Sequence, residues 1–217
     1  MHERIIGLYD ENAAEWDRKR GQGFEPRQSS EPGSAAEELA EGRLMERAWL
    51  ERFLAPLPAR SAILDIGCGT GVPIARYLSG LGHMVTGVDS SPSMIAIAGR
   101  RMPDNEWIVA DMRALDLGRR FDGLIAWHSF FHLTQADQRA MFARFASHAA
   151  PGAMLLFTSG PAHGEAIGEW MGEPLYHASL DPQEYRALLA ANGFEVVDHR
   201  SEDPNCGGAT VWLARRA

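Results

Sequence analysis

From residue 61 onward, short apolar runs alternate with stretches of helical period. Residues 62–66 are apolar enough for a strand buried on both faces, and residues 72–81 behind them recur at helical spacing. The pairing repeats with a strand over 84–88 and a helix running to Arg101, whose start is marked by Ser91 as N-cap and Pro92 at the first helical position. A third strand over 107–110 is followed only by a turn-rich segment. A fourth covers 121–127, and behind it Thr134 with Asp137 resembles a capping box for a helix through His148. Pro151-Gly152 reads as a turn, and 154–158 as a fifth strand. Strands and helices in this alternation predict parallel βαβ units with helices on both faces of the sheet.

The two ends depart from that rhythm. Asp181, Pro182 and Glu184 start a helix that closes at Asn192-Gly193, with Phe194 placed for the apolar contact of a Schellman stop. Strands over 195–199 and 210–214 follow, joined by a Pro/Asn/Gly-rich loop without a helix. A parallel crossover needs a dozen or more residues, so this pair is predicted antiparallel. At the other end, Tyr9, Ala13 and Trp16 fall at i, i+4, i+7 on one face of a short helix. Residues 21–33 carry Gly and Pro without a hydrophobic period and predict a loop or flexible lid. Ser34 with Glu37 forms a capping box, and Leu44, Ala48, Trp49 and Phe53 recur at helical spacing until Pro56 and Pro58. The expected organisation is an N-terminal helical cap over 1–60 and one α/β domain over 61–217. Its sheet is expected to have seven, mostly parallel strands.

Composition narrows the partners. The 217 residues carry a formal net charge of −8, and the pI is about 5.5. A field of that sign repels phosphate backbones and anionic lipid, so neither nucleic acid nor a membrane surface is expected as a partner. No apolar run approaches the roughly 20 residues of a membrane helix, and the first 20 residues lack the apolar core of a signal peptide. With only Cys68 and Cys206, no disulfide framework is expected, which points to the cytoplasm. The histidines are scattered, no paired C-x-x-C or H-E-x-x-H spacing occurs, and no metal site is expected.

The chemistry is concentrated at three strand ends. The first strand turns into its helix through Asp65-Ile66-Gly67-Cys68-Gly69-Thr70-Gly71, where glycines let the backbone approach a ligand and aim a helix N-terminus at it. A dinucleotide fingerprint would need glycine at 72, which is Val72. About 20 residues on, Asp89 closes the second strand, ahead of Ser90 and Met94. A carboxylate there accepts both ribose hydroxyl protons of a nucleoside. Asp111-Met112 closes the third. With these residues the chain resembles the class I S-adenosylmethionine-dependent methyltransferases. The resemblance runs from about Tyr9 to the C-terminus and is densest between Ile63 and Leu133. It implies S-adenosylmethionine as cofactor and S-adenosylhomocysteine as product. Asp65 would help place the methionine moiety, Asp89 the ribose, and Asp111 with Met112 the adenine. Gly67, Cys68, Gly69, Gly71, Ser90, Met94 and Trp127 would line the same site, with Tyr9 and Trp16 as a lid over it. Cys68 within the loop reads as a small packing residue.

The fourth strand ends in Ala126-Trp127-His128-Ser129 in place of the Asn/Asp-Pro-Pro-aromatic motif of methyltransferases that act on bases or glutamine. The continuation Phe130-Phe131-His132-Leu133 resembles the small-molecule branch, including ubiquinone and menaquinone C-methyltransferase-like proteins. His128 and His132 are the candidate proton acceptors, with His132 placed at the start of the next helix. His163, Trp170 and Tyr176 are candidate substrate contacts. The cluster Trp170, Met171, Tyr176 and His177 either roofs a hydrophobic substrate or forms the core of an inserted helix. The expected reaction is methyl transfer to a small molecule by a monomer or homodimer. The alternative is a catalytically silent cofactor-binding regulator.

Overall fold

The computed structural model describes residues 4–21 and 44–217. The breaker-rich loop after Gly21 and the capping box at Ser34 and Glu37 lie outside the described residues. The elements in chain order are α1 (Arg4–Glu11), α2 (Ala13–Gly21), α3 (Arg47–Leu54), β1 (Ala62–Ile66), α4 (Ile74–Gly80), β2 (Met84–Asp89), α5 (Pro92–Arg101), β3 (Glu106–Val109), β4 (Phe121–Ala126), α6 (Gln135–His148), β5 (Ala149–Ser159), β6 (Gly164–Trp170), β7 (Glu173–Ser179), α7 (Pro182–Ala191), β8 (Phe194–Asp203) and β9 (Ala209–Arg216).

Seven strands form one sheet in the order β3-β2-β1-β4-β5-β9-β8. The first five run parallel, and β9 pairs antiparallel with both β5 and β8, as the missing crossover helix requires. Alternate residues of the central strands feed two cores. Leu64, Ile66, Leu124 and Phe157 pack with Phe142 and Phe145 of α6 and Tyr185 of α7. Ile63, Ile125 and Leu156 pack with Trp49, Leu50 and Phe53 of α3 and Leu78 of α4 on the other face. Helix α3 therefore belongs to a layer of the sheet. Among the described residues, no helix is long and apolar enough to cross a membrane.

The helix starts are those the capping residues specify. Ser91 accepts from Met94 N–H, Thr134 from Asp137 N–H and Asp181 from Gln183 N–H. Two expectations need correction. Strand β5 already begins at Ala149, ahead of Pro151-Gly152, and is irregular there: Phe121 pairs with Ala149 but Gly123 with Met154, and Gly152 has φ +80°. The segment around Trp170 and Tyr176 is an antiparallel hairpin, β6 with β7, and contains no inserted helix. In β7, Leu175, Tyr176 and Ala178 are buried together with Ile5 of α1, and Leu8, Tyr9 and Trp170 pack against them. The hairpin thus serves as the seat of the N-terminal cap.

Candidate active site

The site forms at the carboxyl ends of β1, β2 and β4. Behind β1 the backbone N–H groups of Gly67 and Cys68 both donate to Val88 O, at 2.7 and 3.1 Å, pulling the loop over the end of β2. Gly67 has φ +75°, and a Cβ there would lie 2.2 Å from Ser129 Cβ, so only glycine fits. Gly69, at φ +55°, lies beneath the Trp16 indole, whose Cη2 would be 2.9 Å from an added Cβ. Gly71 has a different reason. It lies outside the cavity lining, and its missing Cβ makes room for Met102 and Trp107, at 2.4 and 2.7 Å.

Asp89 ties the loop to the next helix. Its Oδ2 accepts from Gly69 N–H and its Oδ1 from Ser91 N–H, both at 2.9 Å. Each carboxylate oxygen retains a second lone pair for a ligand hydroxyl. Burial raises the Asp89 carboxyl, against the pull of these N–H groups. Asp65 is only 3% exposed, and burial, with the Asp89 charge as a second cause, pushes it up to about 7. Burial also pushes the Cys68 thiol up, so it is inert packing beside them, as its size suggested.

These groups border a cavity of about 340 Å³. Asp65, Gly67, Cys68 and Gly69 form its floor. Asp89, Ser90 and Met94 form one wall, and Asp111 and Met112 an end. Trp127, His128, Phe131, His132 and His177 form the opposite side, with Tyr9 and Trp16 above. The Trp127 indole N–H is buried and has no hydrogen-bond partner among the described residues. Asp111 is more engaged than its motif suggested. It caps a short 3₁₀ turn, accepts from Arg113 N–H at 2.9 Å, and is gripped by the Arg113 guanidinium, which holds its carboxyl low.

The cap is fastened at both ends of α5. Asp10 Oδ1 accepts from Ser91 Oγ at 2.7 Å and from Ser93 N–H at 2.9 Å, and Asp17 receives two bonds of 2.7 Å from Arg101. Neither aspartate had a signal in the sequence, because each works only through a partner some 80 residues away.

Both candidate histidines face the cavity. His132 sits in a 3₁₀ turn (Phe130–His132), two residues ahead of the α6 N-cap rather than at the helix start. Its Nδ1 lies 3.0 Å from Tyr176 O, so that nitrogen carries the hydrogen. Its Nε2 is left to accept from Tyr9 Oη at 3.1 Å. Burial depresses His132 to about 4, and His177 stacks on it at 4.9 Å, itself lowered by burial. His128, at φ +49°, has its N–H fixed on Thr158 Oγ1 at 2.9 Å. The predicted substrate contacts lie elsewhere. His163 is exposed beside Gln135, Trp170 stacks on Tyr9 at 5.2 Å, and Tyr176 donates its hydroxyl to Glu165 at 2.8 Å; none of the three lines the cavity.

Residues 63–152 match the family model described as "Methyltransferase domain". A dTDP-3-amino-3,6-dideoxy-alpha-D-glucopyranose N,N-dimethyltransferase of Streptomyces fradiae is 41% identical over 96 residues, which is 43% of this chain and 37% of that protein. A mouse 18S rRNA (guanine-N(7))-methyltransferase is 39% identical over 100 residues, covering 45% of this chain and 35% of its own length. The chain spans less than half the length of these relatives. Among solved structures, CalS10, an amino pentose methyltransferase from Micromonospora echinaspora, superposes at a TM-score of 0.65 with 21% identity, covering 88% of this chain and all of that one. DhpI, solved with SAH, gives 0.69 with 24% identity over all of this chain and 97% of that one. The fold is the Rossmann-like fold of these methyltransferase structures, and residues 63–152 carry the methyltransferase-domain match. The matched segment contains the glycine loop, Asp89 and Asp111, and it ends before the hairpin β6–β7.

Proposed function

We propose that this chain transfers a methyl group from S-adenosylmethionine to a small-molecule acceptor. The observation that carries the reading is Asp89, fixed by Gly69 and Ser91 N–H groups at a strand end with acceptor capacity to spare. The residues present fit the cofactor. Asp89 would take the ribose hydroxyls, Asp65 the ammonium of the methionine part, and the buried Trp127 N–H an acceptor atom of the ligand. Met112 and the Asp111 end would hold the adenine. When bound, the cofactor would supply an activated sulfonium methyl for the acceptor's lone pair, its sulfur keeping the bonding electrons as a thioether, and the acceptor's proton would pass to His128.

The protein's share is alignment and exclusion of water, which can contribute roughly 7–11 kcal/mol. Trp16 over Gly69 and Tyr9 over the His132 end would close the cavity. His132, neutral at pH 7, accepts the Tyr9 hydroxyl at Nε2 and so holds that ring over the cavity. His128 keeps the role of proton acceptor. The aminosugar N,N-dimethyltransferase among the relatives supports a nitrogen acceptor, where the sequence left the acceptor atom open.

Calorimetric titration tests the reading. S-adenosylmethionine and S-adenosylhomocysteine should both bind, and NADH should not. NADH binding without either would overturn it.

A further inference from the structure

A second groove of about 400 Å³ opens beside the first cavity and shares Phe131 and His177 with it. Its other walls are the end of β5 at Ser159 and Gly160, the turn at Pro161, and Glu165 at the start of β6. Glu165 is the single Asp, Glu, Lys or Arg among the described residues that line it. The carboxylate is held in place, because Tyr176 donates its hydroxyl to Oε1 at 2.8 Å and that tyrosine is buried. Cations are scarce on both sides of the shared wall. Arg113 is the one lysine or arginine among the described residues lining either cavity, and Asp111 occupies its guanidinium. His132 and His177 are depressed by burial and add no positive charge at pH 7.

We propose that the methyl acceptor seats in this groove, that it is a compact amine bearing no phosphate, and that Glu165 selects it. The inference rests on the methyltransferase reading above and deepens it. A protonated amine entering the groove meets a carboxylate positioned by Tyr176, with no lysine or arginine among the described residues lining the groove. A diphosphate would meet like charge at Glu165, which stands at the exposed rim of the groove, with no lysine or arginine among the described lining residues to receive it. Of the groove's lining residues only Phe131 falls within the methyltransferase-domain match over 63–152; Ser159, Glu165 and His177 lie beyond it.

The test is transfer of a radiolabelled methyl group to benzylamine, tyramine, free 3-amino-3,6-dideoxyglucose and the dTDP-linked form of that sugar, with S-adenosylhomocysteine binding measured on the same protein. At least one phosphate-free amine should take the label, with kcat/KM about 100-fold or more above the dTDP-linked sugar. Glu165→Gln should raise KM for that amine about 10-fold with kcat within about 3-fold, and Glu165→Asp should recover most of the loss. Preference for the dTDP-linked sugar would overturn the proposal. So would a KM indifferent to Glu165→Gln, or a protein that binds S-adenosylhomocysteine and labels no amine. A protein that does not bind S-adenosylhomocysteine would instead overturn the methyltransferase reading.

Discussion

Asp65 carries a charge problem that becomes a pH dependence. Held at about 7 by burial and by Asp89, it must ionise to pair with an ammonium. Affinity for S-adenosylmethionine should therefore rise with pH up to about 7, approaching tenfold per unit below that. Asp65→Asn should flatten the dependence, and calorimetry between pH 5.5 and 8.5 reads it. In the ligand-free protein the sign is opposite. A raised carboxyl favours the folded state below its unfolded pKa, and that stability is lost as pH climbs through about 7, so Asp65→Asn should raise Tm at pH 8, by about 1–3 kcal/mol of stability. Asp89→Ala should weaken cofactor binding by about 1.5–3 kcal/mol, because buried ribose hydroxyls would lose charged acceptors. His128→Ala should lower kcat about 100-fold with cofactor affinity nearly unchanged. A wild-type rate in single-turnover transfer would assign catalysis to alignment alone. The carboxylates were legible in the sequence because strand ends and glycine spacing mark them. The roles of the histidines were not, since the hydrogen bonds that settle the His132 tautomer come from Tyr9 and Tyr176, on α1 and β7.

Among the elements, the hairpin β6–β7 and the pair α1–α2 decide how the cavity is covered. The hairpin is anchored through a buried chain of polar groups. Tyr185 Oη donates to Gln138 Oε1 at 2.6 Å and accepts from Leu180 N–H at 3.0 Å, and Gln138 Nε2 donates to Ala178 O at 2.8 Å. Tyr185→Phe should cost about 1–3 kcal/mol, since it strands a buried amide oxygen and a backbone N–H; urea unfolding measures it. The cap is held instead by Asp10 and Asp17. Asp17→Asn should loosen α2 while Asp10 retains α1. Limited proteolysis should then cut at α2 faster than in the wild type, with S-adenosylhomocysteine slowing the cut through Trp16. Equal cleavage with and without ligand would make Trp16 an ordinary packing residue. The helices were readable from their caps. The hairpin was not, because 164–179 mixes apolar and polar residues without a clean alternation, and its pairing is fixed by the packing of Leu175, Tyr176 and Ala178 against α1.

At the scale of the molecule, the sheet order brings β1, β2 and β4 side by side, so that residues far apart in sequence share one rim. Ligands of open α/β sheets sit outside the carboxyl ends of the strands, and the glycine loop, Asp89, Asp111 and His128 all lie there. The parallel strands followed from the strand–helix alternation and the antiparallel end from its short connection. What connection lengths could not reveal is the second sheet, β6 with β7. The direct test is a crystal structure of the protein with S-adenosylhomocysteine. The ribose hydroxyls should lie on Asp89, the methionine ammonium on Asp65, and the thioether sulfur should face His128 and Phe131 at the mouth of the second groove. A nucleoside bound away from Asp89, or a sulfur turned from that groove, would contradict the account.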